Sequence, residues 1–226
     1  MNQPLADKIR PRTLDEVAGQ THLVGPRGIL RRMLESGRLT NMIFYGPPGT
    51  GKTTVANIIA KRSGMTLHKL NATTATLSDV KDVIAETDNM FGAGGILLYL
   101  DEIQYFNRKQ QQSLLSYMED GRVTLIASTT ENPYLYIYQA ILSRSSVFQF
   151  KPVAPEEAVP ALRRALDTLN EEFKTQTEAS DAVLCDIARR CGGDVRQAVG
   201  VCEQAYFVSD GKIDEEDIGA DGGRFL

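Results

Sequence analysis

The sequence predicts an α/β fold, a five-stranded parallel sheet with helices on both faces, followed by a small all-α lid of three helices. Three observations carry this expectation. Between residues 41 and 150, short apolar runs alternate with stretches of helical periodicity, the pattern of a parallel sheet with crossover helices. A glycine-rich turn joins the first apolar run to the first of these helices. After Pro152 the apolar runs stop and helical periodicity alone remains.

The first forty residues read as an arm and a helix. Residues 7–12, Asp-Lys-Ile-Arg-Pro-Arg, are expected to be extended around Pro11, because a residue before proline avoids the helical region. Residues 14–20 read as a turn, and 28–37, with Ile29, Leu30, Met33 and Leu34, as a short amphipathic helix. Strands are expected at 41–45, 66–71, 96–100, 124–129 and 147–150. Helices follow residue 52 and cover 78–86, 109–119 and 133–142, while the glycine-rich stretch 91–95 reads as a flexible loop. Lid helices are expected at 156–171, 180–190 and 194–208. Ala154-Pro155 marks the change of pattern, which gives a core of 1–153 and a lid of 154–226. Pro160 would disturb the first lid helix unless it lies in the opening turn. From Ser209 the tail carries Asp210, Asp214, Glu215, Glu216, Asp217 and Asp221 against Lys212 and Arg224, and part of it is expected to be mobile.

Composition bounds the function. The chain is 42% hydrophobic and 24% charged, ordinary for a soluble globular protein. A net charge of −4 gives no overall basic field, so any contact with nucleic acid must come from a local patch. No apolar run approaches the roughly 20 residues that span a bilayer, and Met1-Asn2-Gln3-Pro4 does not open a signal peptide, so a cytoplasmic location is expected. Cys185, Cys191 and Cys202 match no zinc or redox spacing and read as free thiols in amphipathic helices. His22 and His68 are far apart in sequence, so Mg²⁺ is the metal expected.

Gly46-Pro47-Pro48-Gly49-Thr50-Gly51-Lys52-Thr53 matches the P-loop pattern G-x-x-x-x-G-K-[ST], between a predicted strand and a predicted helix. Such a turn aims successive backbone N–H groups at one spot, where the helix N-terminus adds positive potential. The loop Pro48, Gly49, Thr50 and Gly51, with Thr54 behind it, would cradle the phosphates of ATP. Lys52 would reach the β- and γ-phosphates and the Thr53 hydroxyl would hold Mg²⁺. The run 95–100 ends in Asp101-Glu102, at the strand end where α/β sheets place ligands. Asp101 would serve the Mg²⁺ shell, and Glu102 would be the base or orienting group for an attacking water.

Together these motifs resemble the AAA+ ATPases of the clamp-loader-related group, and most nearly the replication-associated recombination protein A family. The resemblance rests on residues 4–11, Val17-Ala18-Gly19-Gln20, Leu100-Asp101-Glu102-Ile103 with Phe106-Asn107, and Thr129-Thr130-Glu131-Asn132-Pro133 running on to Leu142-Ser143-Arg144. With the P-loop it covers about residues 5–200. It implies that Thr130 is the sensor residue that places water or contacts the γ-phosphate, with Asn132 a weaker candidate. Ile9, Arg10 and Pro11, with Val17, Ala18 and Gly19, match the segment that packs on adenine, although plain core packing also suits them. Arg144 matches an arginine finger acting on the neighbouring subunit, with Ser145 departing from the family's Ser-Arg-Cys. Arg196, behind the helix-capping Asp194, matches the lid's sensor arginine. Asn71 is a candidate restraint on Glu102.

The resemblance further implies Mg²⁺-dependent ATP hydrolysis in maintenance of stalled replication forks. DNA (fork, single-stranded or end structures), replication proteins and a homo-oligomer built by a further C-terminal region are the partners it implies, with no membrane. Basic residues of the first forty, Arg108, Lys109, and tyrosines Tyr134, Tyr136 and Tyr138 are the candidates for DNA contact, against the plainer readings of solvated charge and helix packing. A clamp-loader subunit, a branch-migration motor, and a nucleotide-dependent scaffold with little turnover remain alternatives.

Overall fold

The computed structural model describes residues 3–89, 95–121 and 123–219, the side chains of 86–89 excepted. The predicted loop at 91–94, and Asp221 and Arg224 of the acidic tail, lie outside the described residues. Five strands, β1 (Met42–Tyr45), β2 (Thr66–Asn71), β3 (Ile96–Asp101), β4 (Val123–Thr129) and β5 (Ser146–Gln149), form one sheet in the order β2-β3-β4-β1-β5. Every pairing is parallel, with Leu100 level with Ala127 and Tyr45 level with Thr129. The helices in chain order are α1 (Leu5–Lys8), α2 (Thr21–Val24), α3 (Ile29–Glu35), α4 (Lys52–Ser63), α5 (Leu77–Asn89) and α6 (Arg108–Glu119). They continue as α7 (Pro133–Tyr136), α8 (Gln139–Leu142), α9 (Pro155–Phe173), α10 (Asp181–Arg190) and α11 (Val195–Val208).

Central strand β3 is buried up to Asp101, which is why it is aliphatic at successive positions instead of alternating. Its Leu98 and Leu100 pack in one core with Val80 of α5, Leu114 of α6 and Ile141 of α8. Side-chain alternation sends Tyr99 to the opposite face, where its hydroxyl meets Thr53 of α4.

The described residues divide into two compact units. One holds Thr21–Gly46 and Lys52–Phe150, that is, the sheet with α2 to α8. The other holds residues up to Gln20, the segment Pro47–Gly51 and Lys151 onward. In this helical unit Leu5 of the arm lies in the same core as Leu162 and Leu166 of α9, Ile187 of α10 and Cys202 of α11. The arm thus groups with the C-terminal helices, whereas the sequence pattern assigns it to a core of 1–153. Burial pushes the Cys202 thiol up to about 12 and raises that of Cys191, which suits inert core thiols.

Four local expectations are corrected. Residues 7 and 8 are helical, because the proline restriction reaches only Arg10, and Pro4 O accepts from the N–H groups of Asp7 and Lys8 at 2.9 and 3.1 Å. The helix expected at 133–142 is broken at Ile137, which is extended (φ −96°, ψ 138°). Buried Gln111 splints that break, donating to Tyr136 O at 3.1 Å and accepting from Tyr138 N at 2.7 Å. Strand pairing does not end with the sheet, since β6 (Glu178–Ala179) and β7 (Lys212–Ile213) pair in parallel. Two-residue strands carry no periodicity to read. Pro160 lies inside α9, beyond the opening turn. Its missing N–H and ring clash cost about 3 kcal/mol, whereas burying Leu162, Leu166 and Leu169 contributes about 1.5–3 kcal/mol each, so the helix persists.

Candidate nucleotide site

In the sheet unit, β1 is followed by Gly46 with φ +146°, where a Cβ would lie 2.1 Å from Phe150 O. No side chain fits there. Lys52 opens α4, and its buried Nζ donates to Gly46 O at 2.7 Å. Thr53, next along, has its hydroxyl 3.0 Å from the Tyr99 hydroxyl, and Thr54 is half-buried behind it. The Tyr99 hydroxyl donates to Ser128 Oγ at 2.8 Å, and Ser128 Oγ donates to Asp101 Oδ1. Thr53 and Asp101, the two residues expected to hold Mg²⁺, are thus joined through two buried hydroxyls.

Glu102 follows in the left-handed region, φ 55° and ψ 47°, an uncommon backbone conformation for a non-glycine residue. Its carboxylate accepts from Gln104 Nε2 and, at 3.4 Å, from Thr130 Oγ1. Asn71 does not restrain Glu102 as expected. Its Oδ1 accepts from the N–H and hydroxyl of Thr73 at 2.9 and 2.7 Å, closing the turn after β2, and Gln104 stands on Glu102 instead. Asn132 caps α7 by accepting from Tyr134 N at 3.0 Å. Arg144, half-exposed, forms an ion pair with Glu119 at 2.7 Å and donates to Ala140 O at 3.1 Å. The Arg108 guanidinium lies 5.1 Å from the Tyr138 ring centre, while Tyr134 and Tyr136 are exposed.

In the helical unit, Gly49 has φ +66° and its carbonyl accepts from Val195 N at 3.2 Å. A Cβ on Gly49 would lie 1.8 Å from Asp194 Oδ1, the atom that caps α11 by accepting from Gln197 N at 2.9 Å. The Thr50 hydroxyl donates to Pro47 O at 2.8 Å, and Pro48 is exposed. Buried Gln20 reaches two backbone segments. Its Nε2 donates to Lys151 O at 2.6 Å and to Thr50 O at 3.4 Å, and its Oε1 accepts from Lys151 N at 2.9 Å. Arg196 is exposed in the first turn of α11. Ile9 and Ala18 pack on the helical core, Arg10 pairs with Asp7, and Pro11 is half-buried. A Cβ on Gly19 (φ +63°) would press on Val153 and Glu157, and one on Gly51 (φ +97°) would lie 3.6 Å from Val17 Cγ1.

Two expected results arise from this unit. Gly49→Ala would place a side chain in a left-handed conformation and displace the α11 cap, together costing about 2 kcal/mol or more, read as a lower denaturation midpoint. Glu16 has its carboxyl pKa lowered, first by the Arg12 N–H donating at 3.0 Å and then by the Thr13 hydroxyl at 2.8 Å. A lowered folded pKa stabilises above the ordinary value of 4.5 and is lost as pH falls through the folded value. The melting-temperature gap between wild type and Glu16→Gln should therefore be present at neutral pH and close in acid.

The sequence assigns no role to Tyr99, Ser128 or Gln104, and Gln20 enters it only as part of the Val17-Ala18-Gly19-Gln20 motif. A signal existed for Tyr99, a polar-tipped residue inside the apolar run of β3 and therefore a buried hydroxyl in need of partners.

The profile of the AAA family (ATPase family associated with various cellular activities) matches residues 42–153. Replication-associated recombination protein A of Bacillus subtilis is 37% identical over 215 residues, 95% of this chain and 50% of that protein. The Escherichia coli K12 protein of the same name is 36% identical over 207 residues, 89% of this chain and 45% of its own length. ATPase WRNIP1 of Dictyostelium discoideum is 33% identical over 203 residues, 89% of this chain and 23% of that protein. The chain thus spans about half the length, or less, of these curated relatives. Among solved structures, the Thermotoga maritima RuvB Holliday junction branch migration motor superposes with a TM-score of 0.76 at 24% identity, covering 93% of this chain and 70% of that one. That likeness establishes the fold, while the family profile and the curated relatives place the chain in the AAA ATPase family as a module of the replication-associated recombination protein A type.

Proposed function

We propose that this module binds ATP and hydrolyses it with Mg²⁺, by in-line attack of water on the γ-phosphate. The observation that carries the reading is the joining of Thr53 to Asp101 through Tyr99 and Ser128, beside a Glu102 contacted by Thr130. The hard oxygen donors of Thr53 and Asp101 suit Mg²⁺, which when bound would neutralise charge on phosphate oxygens. Lys52 would supply the fixed positive charge at the β- and γ-phosphates. Glu102 would take or orient the water's proton, with Thr130 holding its carboxylate in line. Ile9, Arg10, Pro11, Val17, Ala18 and Gly19 would line the adenine slot, and Arg196 would answer phosphate charge from the lid helix. Catalysis on this reading is positioning and electrostatics, without a covalent intermediate.

The curated relatives' names support a role in replication-associated recombination, and a cytoplasmic location is proposed with it. DNA at forks, single-stranded regions or ends, a homo-oligomer in which Arg144 serves the neighbouring subunit, and replication proteins are the partners proposed. A branch-migration motor or clamp-loader subunit would share the chemistry and differ in the DNA or clamp it answers to. Turnover measured with and without forked DNA, four-way junctions and sliding clamp separates them, and absence of turnover with all three favours the scaffold reading. Lys52→Ala is expected to abolish measurable ATP binding, read by calorimetry. Unchanged affinity would overturn the P-loop assignment.

A further inference from the structure

Tyr99, Asp101 and Ser128 project from one face of the sheet onto the first turn of α4. Tyr99 and Asp101 are two residues apart on β3, and Ser128 follows Ala127, the partner of Leu100. Tyr99 and Ser128 are buried, at 2% and 0% exposure, so their hydroxyls depend on protein partners. Counting protons fixes the direction of the chain. A hydroxyl has one proton to donate and lone pairs to accept with. Asp101 ionised can only accept, so Ser128 gives its proton to Asp101 Oδ1. Ser128 then accepts from Tyr99 at 2.8 Å, and Tyr99, its proton used, accepts from the Thr53 hydroxyl at 3.0 Å. The Tyr99 hydroxyl also lies 3.3 Å from Asp101 Oδ1, a second route for its proton.

This direction matters to Thr53. A hydroxyl that ligates a cation presents a lone pair to it and must put its own proton elsewhere. The Tyr99 oxygen is where that proton goes, and Ser128 occupies Oδ1 of Asp101, so that Oδ2 stands outside this chain of bonds.

We propose that Tyr99 and Ser128 are positioning residues for the divalent cation, a buried hydroxyl relay that turns the Thr53 lone pairs and one Asp101 oxygen toward it. The inference rests on Thr53 and Asp101 being the Mg²⁺ ligands, as proposed above. Outer partners of this kind typically change metal affinity by 10–100-fold.

The test titrates a fluorescent ATP analogue against the protein over a range of MgCl₂, and again in EDTA, for wild type, Tyr99→Phe and Ser128→Ala. Tyr99→Phe is expected to need about tenfold more Mg²⁺ for half its effect on affinity, with affinity in EDTA within about twofold of wild type. Ser128→Ala should shift in the same direction by less, because Tyr99 can turn its proton to Asp101 directly. If Tyr99→Phe does not fold, the Ser128→Ala shift decides. A lower melting temperature with wild-type Mg²⁺ dependence in both variants would overturn the inference and leave the nucleotide reading intact. An equal loss in EDTA and in Mg²⁺ would mean that the pair only packs the core. Wild-type binding indifferent to Mg²⁺ would overturn both readings.

Discussion

Arg144→Ala should lower ATP turnover of the assembled protein by roughly 10³–10⁵, the range for an arginine finger supplied in trans. ATP affinity of an isolated subunit should hardly change. Arg144 is about half exposed and its partner in the chain is Glu119, 2.7 Å away, so it is held at the surface by an ion pair that exposure makes weak. Exposed pairs contribute about 0–1 kcal/mol, far less than the 4–7 kcal/mol of barrier that such a rate loss represents, so misfolding cannot mimic the effect. The Glu119 pair also costs little to break when a γ-phosphate competes for the guanidinium. Glu119→Gln is the control: it removes the ion pair, keeps the Arg144 bond to Ala140 O, and should leave assembled turnover at wild type or above. Mixing Arg144→Ala with Glu102→Gln subunits should recover part of the activity, because an intact finger then faces an intact site next door. Oligomers confirmed by light scattering that show no recovery would refute action in trans.

Glu102→Gln should keep nucleotide binding and cut single-turnover hydrolysis by about 10² or more. The variant is conservative in shape. Glutamine meets the same left-handed backbone at φ 55°, and its carbonyl oxygen can still accept from Gln104 or Thr130. What it loses is the ability to take a proton or to orient water through a charge. Turnover near the wild-type rate would assign the water to another group.

The parallel sheet was legible because β3 is buried through Leu100 and so reads as a continuous apolar run, bounded by Gly95 and by Asp101-Glu102. Lys52, Thr53, Asp101 and Glu102 were legible because the chemistry requires those residue types at those spacings. Contacts set by three-dimensional neighbours were not. Gln104 and Asn71 are both amides near Glu102 in the chain order of the sheet, and only the 3₁₀ turn at Ile103–Tyr105 decides that Gln104 reaches the carboxylate. Gln111 could not be seen as the splint across Ile137, since nothing within either helix reports a partner 27 residues away. The arm gave the least warning. Leu5 and Ile9 show a short apolar spacing, and the core they join lies some 150 residues further on.

That last feature has a temporal side. Besides Pro47–Gly51, the helical unit is made of residues up to Gln20 and residues from Lys151 onward, with the residues of the sheet between them in sequence. During synthesis the arm emerges before the sheet, and its partners α9, α10 and α11 emerge after it. At about 5–20 residues per second, Leu5 waits on the order of ten seconds or more for Leu162 and Ile187 to exist. The sheet unit, by contrast, is complete once Phe150 has emerged. Ribosomal synthesis therefore favours a fixed sequence of events: the sheet closes first while the arm waits, and the later arrival of α9, α10 and α11 completes the core that the arm joins.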